Sequence, residues 1–347
     1  PRGVAALVVP WNWPLAILGA KLPQALMAGN TVVVKPSANS ALAPALTLQR
    51  VAEMLPPGVV NIVTGSASQI GDAIIGHRHV RYVNFTGSVD VGRHVMKVAA
   101  ENITPVTLEL GGNDAGIVCH DADLSGDAFQ RLYRAAFMST GQICYALKRL
   151  YVHRSRFNEV AEGLRAALNA QVIGDGLLPE TTMGPMNNTK QLKVVTDMIA
   201  EARAKGQDVH ELGQISDQEL FETGYFQRPT LVFNADPSLS VVKHEQFGPI
   251  LPILPFETED EAIAMANDDQ FGLASSIWSE DTDRAVALAR RIEAGYSFIN
   301  AHGPSAMDNN GPFGGFKKSG IGRNFGYEGV LQFQGYHSIA GSPGSLL

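Results

Sequence analysis

Two side chains in this sequence have the chemistry of a nucleophile and of a base. Cys144, one of only two cysteines, lies in residues 140–146, between a predicted helix and a predicted strand. A thiolate is nucleophilic, and loops on a rigid scaffold commonly carry chemistry. Glu109 ends an apolar strand, where a carboxylate is either a structural partner for backbone N–H groups or a general base with a raised pKa. An arbitrary lone cysteine is more commonly a buried core residue, so residue type alone leaves both interpretations open.

Asn12 and Lys35 offer polar groups at the ends of predicted strands. Asn12 lies between two tryptophans and can either donate an amide N–H to a developing oxyanion or cap a helix. Lys35, with Ser37 close by, offers a charge to ribose or phosphate, or is a solvated lysine at a strand end. These two positions therefore indicate chemistry only together with other residues.

A glycine-bearing turn follows another apolar strand and contains Gly87, Ser88 and Gly92. A helix N-terminus presents free N–H groups and suits phosphate, but the full G-x-G-x-x-G spacing is missing, so a plain turn fits equally well. The segment Glu245-Gln246-Phe247-Gly248-Pro249 combines an acid, an aromatic ring and a turn, and alone it predicts only a loop.

Strands and helices are predicted to alternate along the chain, which is typical of a mostly parallel sheet covered on both faces. Ligands in such sheets bind beyond the carboxyl ends of the strands, where Asn12, Lys35, Gly65, Gly87 and Glu109 fall. A second α/β series begins after Gly111-Gly112. The predicted strands cover residues 4–9, 31–34, 59–63, 82–85 and 106–110, then 115–118, 149–152, 229–233, 250–254, 274–278 and 296–299. The predicted helices between them include residues 40–55, 69–75 and 124–138.

Composition limits the classes of function. The net charge of -7 gives no electrostatic case for nucleic acid or an anionic membrane, and no apolar run approaches the length that spans a bilayer. Two distant cysteines, Cys119 and Cys144, fit a reducing compartment, and we expect a cytoplasmic protein. No metal-ligand set is predicted.

Taken together and in order, eight segments resemble the aldehyde dehydrogenase superfamily, and the resemblance runs from the first residues to about Phe333. The matching segments are Pro10-Trp11-Asn12-Trp13-Pro14, Lys35-Pro36-Ser37, Phe85-Thr86-Gly87-Ser88 with Gly92, Glu109-Leu110-Gly111-Gly112, Gly141-Gln142-Ile143-Cys144, Glu245-Gln246-Phe247-Gly248-Pro249, Asn300, and Pro312-Phe313-Gly314-Gly315-Phe316-Lys317-Lys318-Ser319-Gly320.

The resemblance implies two Rossmann-like parallel α/β domains, one for the cofactor and one catalytic, with a small oligomerisation element. Residues 1–111 would form the cofactor domain and residues 112–312 the catalytic domain. Residues 313–347 would return to the cofactor domain and the oligomerisation region. The family usually carries a longer segment before the position of Pro1, so we expect a chain that is incomplete at its N-terminus. A homodimer or homotetramer is expected at full length.

The resemblance also implies roles. Cys144 would attack the aldehyde carbon, Asn12 with the Cys144 N–H would hold the oxyanion, and Glu109 would activate the water that hydrolyses the thioester. The implied cofactor is NAD, with NADP as the alternative because Ala38 replaces the ribose-binding glutamate of many NAD-preferring members. The cofactor-binding positions would be Trp11, Lys35, Ser37, Gly87, Ser88, Gly92, Leu110, Glu245 and Phe247.

Three functions remain open at this stage. The first is hydrolytic oxidation of an aldehyde, which Glu109 favours. The second is a CoA-acylating or reductive relative, and the third is a truncated remnant that only binds or assembles. An apolar, partly aromatic tunnel is predicted, which favours an uncharged or aromatic aldehyde. Its walls would be Trp13, Ile143, Tyr145, His302 and Phe313.

Overall fold

Two sheets, each with helices on both faces, form the architecture in the computed structural model, which describes residues 1–341. The end of the predicted C-terminal segment, residues 342–347, lies outside the described residues. The strands are β1 (Val4–Val9), β2 (Thr31–Pro36), β3 (Val60–Ile62), β4 (Val80–Thr86), β5 (Val106–Glu109), β6 (Asp114–Val118), β7 (Leu147–His153), β8 (Val172–Ile173), β9 (Asp208–Glu211), β10 (Gln214–Ile215), β11 (Thr230–Phe233), β12 (Ile250–Phe256), β13 (Phe271–Gly272), β14 (Ala274–Trp278), β15 (Tyr296–Ile299), β16 (Phe316–Lys317) and β17 (Gly320–Ile321).

The helices connect these strands. Pro14 starts the first helix, where its fixed φ and missing N–H cost nothing. The α-helices are α1 (Pro14–Met27), α2 (Leu42–Glu53), α3 (Asp72–Ile75), α4 (Val89–Ala100), α5 (Ala128–Phe137), α6 (Phe157–Asn169), α7 (Thr189–Ala204), α8 (Gln218–Thr223), α9 (Ser240–Lys243), α10 (Glu259–Asn267), α11 (Thr282–Ala289) and α12 (Gly326–Gln332).

The first sheet has the order β17-β5-β4-β1-β2-β3, and all its pairs are parallel except β17 with β5. Its apolar strands are buried on both faces. Leu7 and Val34 pack with α1 and α2 on one side, while Val83 and Leu108 pack with α4 on the other. The carboxyl ends of β1, β4 and β5 therefore reach one edge of the sheet, as the sequence predicts.

The second sheet has the order β15-β14-β6-β7-β12-β11-β9, parallel except for β9 against β11. Leu132 and Leu164 belong to the core on one face, and Val195 and Ala285 belong to the core on the other. Strands β5 and β6 belong to different sheets, and the predicted boundary at Gly111-Gly112 falls between them. The assignment of domains stays a prediction.

The glycine-rich segment after Asn300 contains regular structure that the sequence does not predict. Strand β16 pairs with β13 beside the second sheet, and β17 adds to the edge of the first sheet. Helix α12 follows. Strands of two residues have no detectable periodicity, because their pairing is decided by distant partners.

The predicted element boundaries shift by a few residues. The helix expected over residues 124–138 begins only at Ala128, and the helix expected over residues 40–55 covers Leu42–Glu53. The helix expected at residues 69–75 is a π-turn, Ala67–Gly71, followed by α3. Strand β7 is longer than predicted and includes Lys148, which directly precedes Arg149.

Candidate active site

Two cavities meet at Cys144. One has a volume of about 260 Å³ and contains Glu109, and the other has a volume of about 480 Å³ and contains Glu245. Asn12 and Thr86 line both cavities together with Cys144. The structure thus brings together the predicted nucleophile, oxyanion donor and base. Six of the nine predicted cofactor residues line the 480 Å³ cavity, namely Trp11, Gly87, Ser88, Leu110, Glu245 and Phe247.

The backbone before Cys144 is strained. Ser139, Thr140 and Gly141 have φ values of 52°, 58° and 68°, so three successive residues lie in the left-handed region. That conformation is a clear outlier for a β-branched residue such as Thr140 and persists only where surrounding contacts hold it. The Thr140 hydroxyl donates to the carbonyl of Gly184 over 3.0 Å. The loop position of Cys144 agrees with the sequence-based interpretation.

The surroundings of Cys144 favour the neutral thiol over the thiolate. The side chain is half-buried, and burial raises its pKa, with Glu109, Glu245 and Asp114 adding to the shift. Cys144 faces two cavities, so thiolate formation depends on pH or on what enters those cavities.

Asn12 does not occupy the helix-cap position. The N-cap of α1 is Trp13, and the Asn12 side-chain amide donates to the backbone carbonyl of Gln142 over 3.0 Å. Gln142 is two residues before Cys144 and is itself held by the Asn187 N–H, which donates to its side-chain oxygen over 2.9 Å. One amide hydrogen of Asn12 therefore fixes the side chain beside the thiol, and the second is available to a ligand.

Glu109 is a buried carboxylate in the 260 Å³ cavity, with 5% of its surface exposed. Burial raises its pKa to about 8, against the attraction of Lys21 and Arg323. Neither carboxylate oxygen has a hydrogen-bond partner among residues 1–341. A buried acceptor without a partner indicates a place for water or substrate, and a raised pKa is typical of a general base.

Lys21 is a site residue that the sequence analysis missed. It is 1% exposed, lines the same cavity as Glu109, and donates to the Asn84 side chain, whose amide donates to Asn324 over 2.8 Å. Burial lowers the pKa of Lys21 to about 7. The sequence contains one signal for its burial, because Lys21 lies on the apolar face of α1 together with Leu18 and Leu22.

The 480 Å³ cavity has a turn suited to phosphate at one end. Gly87 and Ser88 line it directly before the twelve-residue helix α4. A Cβ at Gly87 would lie 2.5 Å from the Phe85 ring, so only glycine fits. The Ser88 side chain makes no cap bond, and free N–H groups of the first helical turn remain for an anion.

The other end of this cavity holds Glu245 and an aromatic pair. Glu245 accepts from the Gly112 N–H over 3.2 Å, and burial raises its pKa to about 7. A Cβ at Gly111 would lie 2.3 Å from the Glu245 carboxylate, which explains the glycine there. Phe247, with φ of 45°, meets Trp11 edge-to-face at a centroid distance of 5.6 Å.

Four of the predicted cofactor residues, Lys35, Ser37, Gly92 and Leu110, contact other parts of the protein. Lys35 is 6% exposed and donates to the carbonyl of Pro36 over 3.4 Å. The Ser37 hydroxyl accepts from the Asn39 N–H over 3.3 Å. Gly92 faces Leu110, whose side chain would lie 2.5 Å from an added Cβ, so this glycine lets α4 approach β5. Of these four, Leu110 lines the 480 Å³ cavity.

Four of the five residues predicted to line a tunnel lie in the wall of the 260 Å³ cavity, namely Trp13, Ile143, Tyr145 and Phe313. The assignment of His302 is wrong, because its side chain is buried behind the wall, with Nε2 3.0 Å from the Tyr145 carbonyl. Among residues 1–341, Ile17, Met307 and Phe325 add apolar surface that the sequence analysis did not assign.

The described part of the chain shows neither a metal-binding cluster nor a membrane-spanning helix. Residues 1–341 contain no cluster of three or more His, Cys, Asp or Glu side chains arranged to hold a metal ion. In the same residues, no helix combines the length and apolar character needed to cross a bilayer.

Sequence comparisons place this architecture and site in one class of enzymes. Residues 1–339 match the model of the Aldehyde dehydrogenase family. Geranial dehydrogenase of Castellaniella defragrans is 39% identical over 98% of this chain and 69% of its own length. The 3,6-anhydro-alpha-L-galactose dehydrogenase of Vibrio sp. strain EJY3 is 37% identical over 96% of this chain and 69% of its own length. The chain belongs to the aldehyde dehydrogenase family.

Solved structures agree with this assignment. Betaine aldehyde dehydrogenase from Staphylococcus aureus, in complex with NAD+, has a TM-score of 0.91 at 34% identity, over 96% of this chain and 66% of that one. A variant of aldehyde dehydrogenase C from Pseudomonas syringae, with NAD+ and octanal, has a TM-score of 0.90 at 37% identity, over 96% and 68%. The predicted family, α/β fold class and enzyme class are confirmed. This chain spans about two thirds of the length of these relatives. The cytoplasmic location and the oligomeric state stay predictions.

Proposed function

We propose that this protein oxidises an apolar aldehyde to a carboxylic acid with NAD+ or NADP+, through a thioester on Cys144. The observation that carries the proposal is the position of Cys144 between two cavities, one containing Glu109 and the other containing Glu245. A nucleophile at this position would hold the aldehyde carbon, from which the hydride leaves, next to the cavity that would bind the dinucleotide.

The residues of the 480 Å³ cavity fit a nicotinamide dinucleotide. Gly87 and Ser88 offer the start of α4 to the pyrophosphate, and the Glu245 carboxylate can accept from ribose hydroxyls. The Trp11–Phe247 pair would pack against the nicotinamide. The solved relatives contain NAD+, which supports the same cofactor here. When bound, the dinucleotide supplies the hydride acceptor.

In the first half-reaction, the Cys144 thiolate attacks the aldehyde carbon and forms the C–S bond. The free amide hydrogen of Asn12 and the Cys144 backbone N–H would stabilise the resulting oxyanion, and such a donor contributes about 3 kcal/mol. Loss of hydride from the same carbon leaves a thioester on Cys144. Because burial raises the thiol pKa, the rate of this half-reaction is expected to increase with pH.

In the second half-reaction, Glu109 acts as the base. Its unpartnered oxygens face the 260 Å³ cavity and can accept a proton from a water molecule that attacks the thioester carbon. The products are the carboxylic acid and the regenerated thiol. Lys21 and Arg323 lower the pKa of Glu109 from what burial alone would give, which keeps part of it ionised near neutrality.

The walls of the substrate cavity support an uncharged substrate. Trp13, Ile17, Ile143, Met307 and Phe313 present apolar surface around Cys144. Apolar pockets select by burying matching surface and disfavour charged groups. The names of two relatives, one for geranial and one crystallised with octanal, refer to apolar aldehydes.

The test is the absorbance of the reduced nicotinamide, measured with the full-length gene product and a panel of aldehydes, with NAD+ and with NADP+, without CoA. Reduction that is lost in Cys144→Ala is the expected result. Reduction only after CoA is added would move the protein to the acylating alternative. If the folded protein reduces neither dinucleotide under either condition, the remaining alternative is a truncated protein that only binds or assembles.

A further inference from the structure

Lys148 is a buried cation that the mechanism above does not use. It lies in β7, between Leu147 and Arg149, and it is 0% exposed. Burial lowers its pKa to about 8. A buried ammonium group costs free energy unless it is hydrogen-bonded, so its partners indicate why it is there.

The partners of Lys148 belong to the two loops of the active site. Its Nζ donates to the carbonyl of Gly141 over 2.6 Å and to the carbonyl of Gly248 over 3.1 Å. Gly141 is three residues before Cys144, and Gly248 directly follows Phe247 and lies three residues after Glu245. One ammonium group therefore joins the nucleophile loop to the loop that carries the predicted nicotinamide contacts.

The two loops are also in direct backbone contact at this point. A Cβ at Gly141 would lie 2.3 Å from the Gly248 carbonyl oxygen, so the two main chains touch. The side chain of Gln246 donates to the backbone carbonyl of Lys148 over 3.2 Å, which binds the second loop to β7 again. The Gly248 carbonyl also accepts from the Ile250 N–H over 2.9 Å, and Lys148 adds a donor that this carbonyl shares with the carbonyl of Gly141.

The nucleophile loop is the part of this arrangement that needs support. Ser139, Thr140 and Gly141 all have positive φ, and strain of this kind persists only under external contacts. On the assumption that the proposed oxidation is the function, we propose that Lys148 is a positioning residue that sets the Cys144 loop against the Glu245–Phe247 loop, and so fixes the nucleophile relative to the nicotinamide. Lys148 touches neither substrate nor cofactor in this proposal.

The same ammonium group also acts on Glu245. Attraction to Lys148 lowers the pKa of Glu245, as does the Gly112 N–H, while burial and Asp114 raise it. Glu245 must be ionised to accept two ribose hydroxyls at full strength. Removal of the Lys148 charge should therefore shift the pH midpoint of dinucleotide binding upward.

The test uses Lys148→Met in the full-length protein, with Leu150→Ala as the matched control. Leu150 is a fully buried core residue of the same strand, so its truncation reports the effect of lost stability alone. The first readout is the dissociation constant of NAD+, followed by quenching of tryptophan fluorescence, because Trp11 lines the cofactor cavity. The second is the rate at which iodoacetamide alkylates Cys144 without cofactor.

We expect Lys148→Met to weaken NAD+ binding by about tenfold. The alkylation rate should change by a similar factor and the pH midpoint of binding should move upward, while Leu150→Ala leaves all three near wild type. If Lys148→Met lowers only the melting temperature, Lys148 is a structural residue and the proposal is overturned. If Lys148→Met does not fold, Lys148→Gln is used instead because it removes the charge, and an unchanged NAD+ affinity with an unchanged pH midpoint in that variant would also overturn the proposal.

These readouts are independent of turnover. Failure of the wild-type protein to oxidise any aldehyde would remove the proposed function, whereas unchanged NAD+ affinity and thiol reactivity in the Lys148 variants would remove only this inference.

Discussion

The side-chain amide of Asn12 donates to the backbone carbonyl of Gln142 over 3.0 Å, and this bond joins the two sheets of the molecule beside Cys144. Asn12 belongs to the turn between β1 and α1, and Gln142 belongs to the loop that precedes β7. The proposed oxyanion donor is thus held by the loop that carries the proposed nucleophile.

Replacement of Asn12 by alanine tests the oxyanion role. Loss of one preorganised donor is expected to lower kcat by about a hundredfold or more, because the oxyanion is stabilised only after Cys144 attacks. The measurement is the rate of the first hydride transfer in a single turnover. Iodoacetamide should still alkylate Cys144 in this variant, which checks that the loop is intact. A single-turnover rate within threefold of wild type would contradict the assignment.

Replacement of Glu109 by glutamine tests the deacylation base. The variant is expected to release one equivalent of reduced dinucleotide per site and then slow by about a hundredfold or more, because general-base catalysis of thioester hydrolysis is lost. The acylated protein should be visible by intact mass spectrometry. Glu101→Gln, at an exposed position after α4, is the control. Normal steady-state turnover with no trapped acyl group would eliminate this role.

The pH dependence of hydrolysis follows from the pKa of Glu109, which burial raises to about 8. Below that pH the carboxyl group is mostly protonated and cannot accept a proton, so the wild-type rate should rise with pH toward about 8. The Glu109→Gln variant should not show this rise of the rate with pH. The measurement is the decay of a preformed acyl-enzyme over the neutral range, and a flat wild-type profile would be evidence against a titrating Glu109.

Met307 lies in the wall of the substrate cavity and is half-buried. A charge there should disfavour apolar substrates, so Met307→Glu is expected to lower kcat/KM for a medium-chain aliphatic aldehyde by about tenfold or more. Acetaldehyde, which does not reach as far, should be affected less, and Met307→Leu is the matched control. Equal losses for both aldehydes would argue against an apolar substrate path.

Ala38 is exposed directly after Ser37 and carries no charge that could repel a 2′-phosphate. Ala38→Glu is expected to raise the preference for NAD+ over NADP+ by about tenfold, because a carboxylate accepts from ribose hydroxyls and repels phosphate. The measurement is the ratio of kcat/KM for the two dinucleotides, with Ala38→Gln as the uncharged control. An unchanged ratio would show that the adenosine ribose binds elsewhere.

The sequence predicts the parts of this structure that depend on local patterns. The apolar runs of β1 and β5 are long enough to identify as strands, and their carboxyl ends place Asn12 and Glu109 at one edge of the first sheet. The order of motifs also identifies the family. These signals are contained within short stretches of the chain and need no knowledge of distant contacts.

The unpredicted parts depend on contacts between residues that are far apart in sequence. In the sequence, Lys21 and Lys148 look like ordinary lysines, yet both are buried. In the fold, the Nζ of Lys21 donates to the side chain of Asn84, and the Nζ of Lys148 donates to two glycine carbonyls. The thiol pKa of Cys144 depends on three carboxylates from separate segments. Burial and charge of this kind are properties of the assembled site.

Strand β17 has a consequence for how the protein is made. Gly320 pairs with Glu109, and the Leu110 N–H donates to the Ser319 carbonyl over 2.9 Å, so the edge of the first sheet beside Glu109 is closed by a segment that is synthesised long after Glu109. During translation, Cys144 and Glu109 both leave the ribosome long before that strand exists. The edge of β5 that ends at Glu109 is therefore closed only after residue 321 is made, and a nascent chain that stops before residue 319 leaves that strand edge open to mispairing.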